Sequence, residues 1–426
     1  MFSKKLKITY AYNDVSLVPA YSELKSRSEA DPQMHGYKLP IIGSCMDKLG
    51  RNIMEELISN NIPFIAHRAF SSAKEQYEYF IPEFTKYAPF DRYKNIWFAV
   101  GSVQKYKDWI DYLYFGVGVR NFCVDMAHGD SKACVDTIKY IKSLRTNNDI
   151  TNKEIILDKK YFKSIPKETA EDKTHVIAGN VATLEGFKRL QKAGADGVRV
   201  GIASGSICST ALETAMGVPI LTNIMDIAPH KKNTWLIADG GSNHTGDIAK
   251  AVYFGADFVM MGKMLAATDL AEGKCYNKDL EEITEDVIYP DTFEEEVIKE
   301  IKQQTITQDL FYNSDEEIDI TDSKYKFICQ NLSKRLVKYK TYNGMASRGA
   351  RKNLLSYASV EGRSGLIAYD CRTKQFIHDT YLRLQASLSY GGAHNWKEFR
   401  KKVKAVKRSQ AAISAGKTHL DILFDK

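Results

Sequence analysis

Eight short apolar runs, each ending at Gly, Ser, Asp or Asn or their neighbours and followed by a helix-like segment, constrain this chain more than any other feature. They are Pro40–Met46, Pro63–His67, Ile96–Gly101, Phe122–Met126, His175–Asn180, Gly197–Gly201, Trp235–Gly240 and Phe258–Gly262. Each is continuously apolar rather than alternating, the pattern of strands covered on both faces, as in parallel α/β structure. Between them, Leu184–Ala193 and Gly246–Tyr253 place apolar residues at i, i+3, i+4, the spacing of an amphipathic helix. Gly194-Ala-Asp-Gly-Val198 and Gly255-Ala-Asp-Phe-Val259 lead into two of the runs in the same way, as a repeated unit does. Eight strand-plus-helix units predict a (β/α)8 TIM barrel. A doubly wound sheet is the alternative, but no G-x-G-x-x-G follows the first run. In a barrel the C-terminal strand ends build the active site. Ser44, Asp125, Asn180, Asp239, Gly240, Gly241 and Gly262 stand at such ends.

A chain of 426 residues, 44% hydrophobic and 27% charged, is globular in composition and can bury a large core. Its net charge of +7 is spread without a dense basic tract, so nucleic-acid binding is not indicated. Seven scattered cysteines without a CxxC pair match reduced, cytosolic usage, not a disulfide framework or a zinc site. The opening Met-Phe-Ser-Lys-Lys-Leu-Lys lacks a signal-peptide core, and no run nears the ~18 apolar residues of a membrane span. A soluble cytoplasmic protein is expected.

Two stretches break the rhythm. Residues 145–173, rich in lysine, read as a surface insertion. Residues 273–336 are acidic, then basic, and hold enough Ile, Tyr and Phe to predict a partly helical insertion after the eighth strand. Either a solvated decoration or an oligomer or lid contact fits that second segment. The expected organisation is one TIM-barrel domain over 1–426, with these insertions and an active-site flap at 337–363.

Chemistry concentrates at Val200-Gly-Ile-Ala-Ser-Gly-Ser-Ile-Cys-Ser-Thr210. A small-residue turn after a strand lets backbone N–H groups approach an anion, and Gly205 tolerates positive φ. At its far end Cys208 stands two positions before Thr210, as a nucleophile beside a bound phosphate or as a buried structural thiol. Ala238-Asp-Gly-Gly-Ser242 offers Asp239 as an acceptor for ribose hydroxyls, or as a cap for the next helix, with Gly240 and Gly241 exposing backbone donors. Met261-Gly-Lys263 follows, able to complete a phosphate cup to which Lys263 adds charge.

These motifs, with Asp14-Val-Ser-Leu-Val-Pro19, Ser26-Arg-Ser-Glu29, Ala178-Gly-Asn-Val-Ala182, Gly217-Val-Pro219, Gly246-Asp-Ile-Ala-Lys250, Gly255-Ala-Asp-Phe-Val-Met260 and Tyr342-Asn-Gly-Met-Ala-Ser347, resemble the IMP dehydrogenase/GMP reductase family. The resemblance covers roughly residues 8–272 and 337–400. It implies a TIM barrel, usually a homotetramer, in which Cys208 attacks purine C2 to give a covalent thioimidate. It implies nucleotide contacts from Ser44, Ser206, Asp239, Gly240, Gly241, Gly262, Lys263, Tyr342, Met345, Ala346 and Gly362. Cofactor contacts are implied for Asp125, Met126, Ala127, Arg68 and Asn180, and a monovalent cation such as K+ on the backbone carbonyls of Ala203, Gly205 and Cys208. The chain departs from the family pattern in three places. Ala203 replaces a glycine, Ser209-Thr-Ala211 stands for Thr-Thr-Arg, and Lys263 replaces Gly or Ser.

Within the family the chain resembles the reductase most. No regulatory tandem is inserted between His67-Arg-Ala-Phe70 and Ile96, so no CBS module is expected. Between Met345 and Glu361 there is no Arg-Tyr pair of the kind with which the dehydrogenase activates water. Val124-Asp-Met-Ala-His-Gly129 and Leu384-Gln-Ala-Ser-Leu-Ser-Tyr-Gly-Gly392 resemble reductase segments, and Glu361 matches the acid that assists ammonia departure. The resemblance thus implies NADPH-dependent reductive deamination of GMP to IMP, with Cys208, Thr210 and Glu361 catalytic. IMP dehydrogenase and a catalytically silent nucleotide-binding protein remain the alternatives.

Overall fold

Continuous apolar strands need cover on both faces, and these gain it by closing into a ring wrapped in helices. The structure, a computed structural model, describes residues 6–81, 94–144, 173–205, 208–307, 320–321, 325–343 and 363–415. After β1 (Val15–Val18) come β2 (Ile41–Gly43), β3 (Phe64–Ala66), β4 (Ile96–Val100), β5 (Asn121–Asp125), β6 (His175–Val181), β7 (Gly197–Val200), β8 (Trp235–Ala238) and β9 (Phe258–Met261). Strands β2 to β9 form a closed parallel barrel, in which β9 returns to β2 with Ile42 opposite Met260. All eight coincide with the apolar runs of the sequence. The chain has the TIM-barrel fold.

Alternation along each strand divides the core into two layers. Val198, Val200, Leu236 and Ala238 join the layer beneath the helices, while Ile42, Ile65, Trp97, Ile177, Ile237 and Met260 fill the barrel interior. Arg199 has interior parity between Val198 and Val200. It is 6% exposed, and an added Cβ at its β6 neighbour Gly179 would stand 2.6 Å from the Arg199 Cβ. The absent side chain leaves the guanidinium its room.

The covering helices are Arg51–Ser59, Ala73–Phe80, Val103–Asp111, Lys132–Ser143, Leu184–Ala193, Ile220–Ile227 and Thr245–Tyr253. Ser72, Ser131 and Thr183 cap three of them, each accepting an N–H of the first turn. The eighth, Thr373–Tyr390, lies far downstream of β9 and packs against Thr245–Tyr253 and Arg51–Ser59.

The chain between β9 and that helix builds a second sheet, order β11-β10-β12-β13, from β10 (Cys275–Tyr276), β11 (Glu282–Ile283), β12 (Tyr339–Asn343) and β13 (Ser364–Ala368). Residues 273–336 include helices Phe293–Thr307 and Lys326–Ser333, whose Val297, Ile301 and Leu332 share a small core with Ile288. Their β10 pairs with β12, so this segment is hydrogen-bonded to the strand that carries Tyr342. Lys340, 1% exposed, fixes β12 further by donating to the carbonyls of Thr268, Asp269 and Ala271 at 2.7–2.9 Å. Finally β14 (Lys404–Lys407) pairs antiparallel with β1. Insertion 145–173 falls, except for Lys173, outside the described residues, as does most of segment 337–363 beyond Asn343. Among the described residues no helix is long and apolar enough to cross a membrane.

Candidate active site

The C-terminal strand ends enclose a cavity of about 340 Å³. On one side stand Ser44 after β2, Arg68 after β3, Asp125 at the end of β5, Met126, Ala127, and Asn180 near the end of β6. The other side is formed by Ala203, Gly205, Cys208 and Thr210 after β7, then Asp239, Gly240 and Gly241 after β8. Gly262 and Lys263 follow β9, and Tyr342 comes from β12. Every sequence-predicted site residue that is described lines this one cavity. Ser206, Met345, Ala346, Glu361 and Gly362 lie outside the described residues.

The nucleophile candidate is half-buried, with its Sγ 3.0 Å from the Thr210 hydroxyl. Cys208 is therefore not a sealed structural thiol. Its N–H donates to the Gly205 carbonyl at 3.1 Å, closing the turn. Cys45 also lines the cavity, yet it is 3% exposed, and burial pushes its thiol well above the ordinary range despite the opposing Arg199 charge. Of these two sulfurs, Cys208 is the more accessible.

Arg199 joins the two sides. Its Nη1 donates to Asp125 Oδ1 at 2.7 Å, and its Nη2 and Nε donate to Asp239 Oδ2 at 2.8 and 3.1 Å. Asn180 Nδ2 donates to the same Oδ2 at 2.7 Å and to the Gly201 carbonyl at 2.9 Å. Arg68 Nε donates to Asp125 Oδ2 at 3.2 Å, while its Nη1 reaches the Tyr106 hydroxyl at 2.9 Å. Burial alone would raise the Asp125 carboxyl, but the Arg199 and Arg68 guanidiniums outweigh it and hold it below its ordinary value. Asp125 stays ionised. Asp239 does not cap the following helix, where His244 and Asp247 form the capping box.

Backbone geometry shapes the opposite wall. Gly240 and Gly241 have φ of +88° and +82°, and an added Cβ on Gly240 would stand 2.7 Å from the Gly205 nitrogen. At Gly201, φ +138°, a Cβ would run into the Asp239 carbonyl. The Ser204 hydroxyl beside this turn is buried without a hydrogen-bond partner among the described residues. Above Gly262, the Tyr342 hydroxyl lies 3.1 Å from Met46 Sδ.

A model described as "IMP dehydrogenase / GMP reductase domain" matches residues 158–284 and 329–419. The chain belongs to the IMP dehydrogenase/GMP reductase family. Among its relatives, a GMP reductase of Staphylococcus carnosus is 31% identical over 280 residues, 63% of this chain and 75% of the relative. A GMP reductase of Leishmania major is 42% identical over 164 residues, 38% of this chain, and the match spans only 28% of that relative's length. An inosine-5'-monophosphate dehydrogenase of Aquifex aeolicus is 29% identical over 333 residues, 75% of this chain and 51% of the relative.

Within this oxidoreductase family fold, the residue that sequence reasoning passed over is Arg199. It is hidden in an apolar strand, and a buried arginine there needs carboxylate partners that only the fold brings to it. The Ser204 hydroxyl and Met46 were passed over too, and neither residue type stands out from its loop. Of the Ala203, Gly205 and Cys208 carbonyls expected to hold a cation, that of Gly205 accepts the Cys208 N–H at 3.1 Å. Among the described residues no cluster of His, Cys, Asp and Glu could hold a metal ion.

Proposed function

We propose that this chain is a GMP reductase, converting GMP and NADPH to IMP, ammonia and NADP+. The observation that carries this reading is Cys208 Sγ at 3.0 Å from Thr210 Oγ1, in one cavity with the Arg199-linked carboxylates Asp125 and Asp239. The Cys208 sulfur adds to purine C2, the C2–N bond breaks, and the 2-amino group leaves as ammonia. Thr210, in hydrogen-bond reach of the sulfur, passes a proton between thiol and leaving nitrogen, with Glu361 as the second relay. The purine is left as a thioimidate on Cys208. A bound nicotinamide supplies the hydride that replaces sulfur at C2, releasing IMP and the thiol.

The two walls divide the ligands. Among the described residues, all three bonds to the Asp239 carboxylate fall on Oδ2, and Oδ1 is the oxygen that would accept ribose hydroxyls. Gly240, Gly241, Gly262 and Tyr342 surround the nucleotide's phosphate end. Across the cavity, Met126 and Ala127 give an apolar wall and Asp125, Arg68 and Asn180 polar groups, a set that fits a nicotinamide ring and its amide. Holding purine, sulfur and nicotinamide in line is the barrel's catalytic contribution. All seven cysteines are free, in keeping with a cytoplasmic enzyme.

The reductase reading over the dehydrogenase rests on the 345–361 sequence, which lacks the Arg-Tyr pair. Absorbance of the nicotinamide decides between them. NADPH oxidation with GMP, lost in Cys208→Ala, is the expected result. XMP formation from IMP and NAD+ without GMP turnover would make the chain a dehydrogenase, and neither activity would make it a silent binding protein.

A further inference from the structure

Among the described residues lining the β8–β9 side of the cavity, Lys263 is the cation to which the proposed chemical steps give no part. It follows β9 directly, is exposed, and lines the cavity together with Gly240 and Gly241. Its Nζ reaches across to the Asn243 side-chain oxygen at 3.4 Å, a long contact to a neutral acceptor. Among the described residues no carboxylate pairs with it, whereas Arg68 and Arg199 in the same cavity are both held by aspartates. The unpartnered Ser204 hydroxyl and the positive-φ glycines 240 and 241 lie on this same side. An uncompensated ammonium, orphaned hydroxyl and open backbone turn together favour a small, strongly charged anion.

We propose that Lys263 determines specificity at this end of the cavity, making recognition of the ligand's phosphate an ion pair where neutral donors alone would give hydrogen bonding. The proposal rests on reading the cavity as a purine-nucleotide site. It has two consequences. Affinity follows the charge of the terminal group, so a nucleoside without phosphate is rejected more strongly than neutral donors would achieve. Free inorganic phosphate also competes for the subsite, because an exposed ammonium needs neither ribose nor base to bind it. The contact forms far from purine C2 and is the same before and during reaction, so its loss falls on KM and leaves kcat.

Titration calorimetry of the full chain with ribose 5-phosphate, and separately with inorganic phosphate, tests this at low and raised salt. Lys263→Gln should weaken ribose 5-phosphate binding about tenfold or more and flatten its salt dependence, with Lys263→Arg retaining most of both. Binding by Lys263→Gln equal to wild type with an unchanged salt slope would overturn the proposal, as would wild-type protein that binds neither probe. Lys263-dependent binding in a protein that turns over neither GMP nor IMP would uphold the proposal and sink the reductase reading. Equal thermal midpoints for the three proteins show that folding is not the cause.

Discussion

Arg199 Nη1 lies 2.7 Å from Asp125 Oδ1, an ion pair that ties β7 to β5 across the interior of the barrel mouth. The same guanidinium holds Asp239, so replacing it leaves Asp239 without its cation and Asp125 with Arg68 alone. Arg199→Met should cost about 3–5 kcal/mol in urea-unfolding free energy, the scale for breaking a buried pair from one side. Adding Asp125→Asn and Asp239→Asn should recover much of that loss. An unchanged unfolding midpoint in the single variant would show that the network contributes nothing.

His67 gives the stability a pH dependence. Burial, then the nearby Lys48 charge, pushes its folded value down to about 4, and its ring stacks on Phe70 at 4.8 Å. The unfolded chain takes up this proton near pH ~6.5, before the folded protein does. Stability therefore falls as pH drops from about 6.5 to about 4, by about 3 kcal/mol at the lower end. Unfolding curves across that window should show the slope, and His67→Gln should remove it. A wild-type slope that survives the substitution would assign it to other groups.

Thr210 is within proton-transfer distance of Cys208, 3.0 Å away. Thr210→Val keeps the shape and removes the hydroxyl. Turnover of GMP should fall by about 10²–10⁴ while ribose 5-phosphate binds as in wild type. Full activity in this variant would remove Thr210 from the relay.

Ala203 sits at φ +64°, in the left-handed region that favours glycine. Ala203→Gly relieves that strain at the expense of a freer unfolded chain. The net effect should be a gain of about 0.5–1 kcal/mol by denaturant unfolding. Destabilisation would mean that the methyl group's packing outweighs the strain.

The barrel was legible because parallel strands buried on both faces leave continuous apolar runs, and all eight were visible. Its strand-end residues were legible for a related reason: polar groups such as Asp125 and Asp239 interrupt those runs where the chain reaches solvent or ligand. Arg199 was not, since one charge inside Gly197-Val-Arg-Val reads as noise until its partners on β5 and β8 are in place. The sheet of β10 to β13 was equally hidden. Pairs of two residues, such as Cys275–Tyr276 with Glu282–Ile283, are too short to print a period, and their pairing to β12 is set by tertiary contact. The positive φ of Ala203 had no local signal, though the departure from glycine at that position did mark the turn.

Gly201 leaves space for a hydrogen atom and nothing more in front of the Asp239 carbonyl. Lys263, which lines the same cavity, is exposed. A genetic search for altered substrate range would thus meet very uneven ground. Codons for the rim can drift and be selected, while the strand end that spaces β7 from β8 admits one amino acid. Saturation libraries of this chain selected for folding alone should recover diversity at position 263 and return only the parental residue at 201.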